Sequence, residues 1–80
     1  MTVTVLLFAS YADTLGKNQL ELDLTSGATV SDLLGHVRAM PGAGRLPPEP
    51  LVAVNERYAQ RSQVLAPGDE VAIIPPVAGG

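Results

Sequence analysis

Glu70-Val71-Ala72-Ile73-Ile74-Pro75-Pro76-Val77-Ala78-Gly79-Gly80 is the stretch on which the fold turns. Its first half reads as a short apolar strand, preceded by Pro67-Gly68-Asp69, a strong turn signal. Proline has no N–H for a sheet ladder, so the strand stops at Ile74. The pair also biases the residues around it toward a stiff, extended path. An extended segment from 75 to 80 reaches at most about 20 Å. The glycines carry no side chain and can thread a narrow channel. Chain ends ordinarily fray. Glycines placed after a proline clamp on an apolar strand predict a working tail instead. The expected division is a folded domain over residues 1–74 and an extended tail over 75–80.

Upstream, Val3 to Ser10 predicts a first strand. Val3, Val5, Leu7 and Ala9 form one apolar set, which alternation assigns to the core, while Phe8 falls on the opposite face. Tyr11 to Asn18 reads as a loop or short turn ending at Gly16. Gln19 to Leu24 alternates polar and apolar strictly, as a half-buried strand does. Thr29 is an N-cap with Asp32 three residues on, and Val30, Leu33, Leu34 and Val37 follow at helical spacing. Met40 extends that stripe before Pro41-Gly42 ends it. Leu51 to Val54 reads as a short buried strand, turned by Asn55-Glu56 into an arm at Arg57-Tyr58-Ala59. Val64 and Leu65 are expected to tuck under the domain. With the first and last strands parallel at its centre, this order closes as a mixed sheet of about five strands on one main helix, an α+β domain. Phe8, Tyr58 and Ile74 would then lie near one another on the face away from the helix.

Composition narrows the function. The 80 residues hold five Lys/Arg, eight Asp/Glu and no cysteine, for a formal charge of -3. No basic stripe is present to neutralise phosphates, which argues against nucleic-acid binding. Without cysteine there is no disulfide, thiolate nucleophile or cysteine-ligated metal. Met1-Thr2-Val3-Thr4 lacks a signal peptide's charged start, and no apolar run approaches the roughly 20 residues of a membrane span. A cytoplasmic protein with no membrane contact is expected.

An active site is hard to find. His36 is the sole histidine, and Ser10, Ser26, Ser31 and Ser62 have no histidine in any triad-like arrangement. Asp13, Glu21, Asp23, Glu56, Asp69 and Glu70 lack metal-loop spacing and read as solvated charges, so no metal site is expected. One reactive group is left, the α-carboxylate of Gly80, whose reference pKa is about 3.3–3.7. A carboxylate becomes electrophilic once its oxygen is made a leaving group. An ATP-using partner can do this by attaching AMP, after which sulfide or an amine can attack. No cofactor bound by the chain itself is needed, and ATP belongs to the activating partner.

Val5-Leu6-Leu7-Phe8-Ala9, Ala53-Val54-Asn55 and the segment Gly68 to Gly80 resemble the small, sulfur-carrier subunit of molybdopterin synthase, the MoaD family. The resemblance covers the whole length, and the C-terminal segment is its specific part. It implies a ubiquitin-like β-grasp fold. It further implies that Gly80 is adenylated by an E1-like enzyme and then thiocarboxylated. The tail (Pro75, Pro76, Val77, Ala78, Gly79) would enter the large synthase subunit of a heterotetramer, delivering sulfur to cyclic pyranopterin monophosphate for molybdenum cofactor. Partner contacts would come from Phe8, Tyr58 and Ile74. The chain departs from the family at Tyr11-Ala12-Asp13, where a Leu-Arg-Glu-like segment is frequent. Two other readings share the chemistry: a carrier for thiazole or another sulfur-containing metabolite, and, in a different class, a ubiquitin-like protein modifier or interaction domain.

Overall fold

The computed structural model describes residues 1–8, 12–13, 15–40 and 50–74. Five strands and one helix follow in the order β1 (Thr2–Leu7), β2 (Gln19–Asp23), α1 (Val30–Arg38), β3 (Leu51–Val54), β4 (Arg57–Tyr58) and β5 (Glu70–Ile74). The sheet order is β2-β1-β5-β3-β4. β1 and β5 are parallel and every other pair antiparallel, so the sheet is mixed, with β5 in the middle.

Period-two alternation decides which side chains enter the core. Val3, Val5 and Leu7 of β1 are buried, as are Val71 and Ile73 of β5. Across from them lies the apolar stripe of α1, Val30, Leu33, Leu34 and Val37. A helix this short is marginal alone; burial of that stripe is what holds it. Its start is capped reciprocally. Thr29 Oγ1 accepts from the Asp32 N–H at 3.3 Å, and an Asp32 carboxylate oxygen accepts from the Thr29 N–H at 2.9 Å. The next two N–H groups, of Val30 and Ser31, donate to the carbonyls of Gln63 and Arg61. The strap from 60 to 66 therefore crosses the helix start and completes its cap.

Several expectations change. The first strand ends at Leu7, and Ala9, Ser10 and Tyr11 lie outside the described residues. Ala12, Asp13 and Leu15 have helical backbone, and Gly16 closes that turn with an N–H bond to the Ala12 carbonyl at 2.9 Å. The helix stops at Arg38 with Ala39 as its cap, leaving Met40 half-buried beyond it. Leu65 is buried as expected, but Val64 is exposed. Val64 bridges Thr29 through the backbone, and consecutive residues of extended chain face opposite sides. With Leu65 turned inward, Val64 must turn out. Leu51 is likewise exposed rather than buried, because alternation gives Val52 and Val54 the core face of β3.

Candidate docking face

Opposite the helix, the sheet has an open face built from the other half of each alternation. Leu6 pairs with Ala72, Ala72 with Ala53 and Ala53 with Tyr58, so one row crosses four strands. Small alanines form its floor, and Tyr58 stands above them, 76 % exposed. Leu51 pairs with Ile74. Leu7 pairs with Ile73, so Phe8 and Ile74 come next along the two parallel strands and continue this second row. Phe8 is 45 % exposed and Leu51 44 % exposed. Scattered apolar residues are ordinary on a surface, but a contiguous set of large ones marks a place where something binds.

All three residues expected at a partner surface, Phe8, Tyr58 and Ile74, thus belong to one face. Leu6, Leu51, Ala53 and Ala72 join them. Leu6 follows from the same alternation of β1 that turns Phe8 to this face. Leu51 was hidden because every residue of Leu51–Val54 is apolar, and only pairing with Ile74 reveals its side. Pro75, Pro76, Val77, Ala78, Gly79 and Gly80 lie outside the described residues, so the tail of 75–80 remains an expectation from sequence.

The end of the sheet where β5 begins is organised by polar contacts. Asn55 and Glu56 have φ of 50° and 71°, the left-handed pair required by a two-residue hairpin of type I′. The Asn55 side chain donates to Asp69 at 2.9 Å and accepts from the Glu70 N–H at 3.0 Å. Asp69 also accepts from the Ala66 N–H at 2.8 Å. Asp69 is therefore a turn organiser rather than a merely solvated charge, and it ties the β3–β4 turn to the entry of β5. Asp23 accepts from the Thr2 hydroxyl at 2.6 Å. His36 is exposed on α1. No cluster of three or more His, Cys, Asp or Glu that could hold a metal occurs among the described residues, and no helix there is long and apolar enough to cross a membrane.

Residues 5–80 match the protein family described as the ThiS family. The chain is 37 % identical over 83 residues to a molybdopterin synthase sulfur carrier subunit of Chlamydomonas reinhardtii, with all of both chains covered. It is 35 % identical to that of Arabidopsis thaliana, covering 98 % of this chain and 82 % of the relative. Among solved structures it is similar to small archaeal modifier protein 1 of Haloferax volcanii, with 30 % identity, a TM-score of 0.80 and full coverage of both chains. Two more distant structures show the fold alone. They are the Caldiarchaeum subterraneum ubiquitin, at 24 % identity and TM-score 0.69 with 100 % and 98 % of the two chains covered, and a complex of subunits 1 and 2 of molybdopterin-converting factor from Helicobacter pylori, at 20 % identity and TM-score 0.74 with both chains fully covered. The architecture is the ubiquitin-like β-grasp.

Proposed function

Since this chain belongs to the ThiS family, we propose that it is a sulfur carrier, the small subunit of a molybdopterin synthase. The full-length similarity to sulfur carrier subunits of that synthase carries the reading. The chain serves as a handle and does no catalysis itself. An oxygen of the Gly80 carboxylate attacks the α-phosphorus of ATP on an E1-like enzyme, and pyrophosphate leaves. Sulfide then attacks the acyl carbon, the bond to AMP breaks with AMP as leaving group, and loss of the S–H proton leaves a thiocarboxylate. Glycine at position 80 leaves that carbon uncrowded. The sulfur-bearing tail, Pro75 to Gly80, enters the large subunit of a heterotetrameric synthase. There its sulfur bonds to cyclic pyranopterin monophosphate, and water cleaves the acyl–sulfur bond, returning the Gly80 carboxylate. The apolar face, with Phe8, Tyr58 and Ile74 near the base of the tail, supports docking beside that pocket.

A second reading is favoured by the similarity to a small archaeal modifier protein. There an amine attacks the same acyl adenylate, and the chain ends in an amide to another protein. Intact mass spectrometry of chain recovered from its own cells separates the two. A species with sulfur in place of one oxygen at Gly80 is expected. Covalent conjugates to other proteins, without any such species, would replace the carrier by the modifier. Deleting Gly80 should remove the sulfur-bearing species and leave the unfolding curve unchanged, because the last residue of a chain ordinarily contributes little to stability. Cofactor synthesis that persists after the deletion would rule out this chemistry.

A further inference from the structure

The open face has a second end, and its chemistry differs. Thr4 pairs with Glu21 of β2 on one side and with Glu70 of β5 on the other. Glu21, Thr4 and Glu70 thus form a row across three strands, on the face away from the helix. Strands lie about 4.8 Å apart, so the two glutamates flank Thr4 at about 10 Å from each other. Two residues further along lies the row of Gln19, Leu6 and Ala72, roughly 7 Å away. β5 runs from the acidic row toward Ile74, so the acidic end is opposite the end from which the tail departs.

Three other carboxylates are engaged in holding the fold, while Asp13 and Glu56 lie outside the strands. Asp32 closes the helix cap, Asp69 organises the turn before β5, and Asp23 accepts from Thr2. Glu21 and Glu70 are exposed, and among the described residues neither side chain takes a hydrogen bond or an ion pair. Thr4 between them is half-buried and uncharged, so nothing in the row neutralises them.

Resting on the docking reading above, we propose that this row is the polar half of the same interface. A lysine or arginine of the large subunit seats over Thr4, between the two carboxylates, while the partner's apolar surface covers Leu6, Phe8, Leu51, Tyr58 and Ile74. An apolar patch excludes water but discriminates poorly between rotations about the face. A charged row at one end breaks that degeneracy, so the tail enters the partner in one direction. Exposed charges of this kind act chiefly on encounter and orientation, less on residence time.

The test is stopped-flow association of the chain with the synthase large subunit of the same organism, followed across salt concentration. Glu21→Gln/Glu70→Gln should slow association about tenfold at low salt. Its rate should merge with wild type as salt shortens the screening length to about 3 Å near 1 M, while dissociation changes by less than about twofold. The comparison variant His36→Lys/Ala39→Lys shifts net charge by the same two units on exposed positions of α1, and should leave association nearly at the wild-type rate at every salt concentration. If the double glutamine variant associates like wild type at all salt concentrations, the row is not part of the interface, though the carrier reading stands. Equal slowing by the α1 variant would reduce the effect to net charge and also overturn the inference. Wild-type chain that fails to bind the large subunit at all would remove the docking reading and this inference with it, whatever mass spectrometry shows at Gly80.

Discussion

Tyr58→Ala separates docking from folding more cleanly than any other change on the open face. The side chain is 76 % exposed on a two-residue edge strand. A tyrosine has roughly 200 Å² to bury, so about 150 Å² is available to a partner and about 50 Å² is already covered by its own chain. At about 25 cal/mol per Å², folding draws on this ring for about 1 kcal/mol, whereas full coverage by a partner would contribute about 4 kcal/mol. Alanine keeps part of that area, and docking immobilises the ring, so about 2 kcal/mol should be lost on truncation. That corresponds to roughly a 30-fold rise in Kd. Isothermal titration of both proteins against the large subunit measures the affinity, and urea unfolding of the free chains measures the stability. The expected result is the affinity loss with at most about 1 kcal/mol of destabilisation. The reverse pattern, unchanged affinity with a free chain weakened by several kcal/mol, would show the ring to be packed within the chain and would refute the reasoning.

Three substitutions probe the scaffold that presents this face. Gly35 lies exposed in α1, and a Cβ there would meet nothing within 4 Å; Gly35→Ala should add about 1 kcal/mol and raise the thermal midpoint by about 4–8 °C, read by calorimetry. Glu56 holds a φ of 71° that costs a side-chain-bearing residue about 1–2 kcal/mol. Glu56→Gly gives back part of that gain through a more flexible unfolded chain, leaving a net stabilisation of about 0.5–1 kcal/mol in urea unfolding. Asn55→Ala removes the bonds to Asp69 and Glu70 and puts alanine at a φ of 50°. It should lower the urea midpoint by the equivalent of about 2–3 kcal/mol with an unchanged m-value.

What the chain states locally was legible from its letters. Val3, Val5 and Leu7 alternate, Val30, Leu33, Leu34 and Val37 recur at helical spacing, and Thr29 with Asp32 announces the cap, because each pattern is set by backbone geometry within one turn or one pleat. The proline pair after Ile74 ends a strand for an equally local reason. Tertiary structure decided the rest. Leu51 faces outward and Val52 inward, a choice that four consecutive apolar residues leave undetermined until β3 registers against Ile74. Val64 is exposed because the Thr29 bridge orients the strap, and Asp69 is a turn organiser because Asn55 reaches it from another hairpin. Glu21 and Glu70 are far apart in the chain, yet parallel pairing of β1 with β5 places them on either side of Thr4. Side-chain direction along one strand is a property of the pleat; which directions share a surface depends on register between strands, and register is fixed only when the whole sheet closes over one buried core.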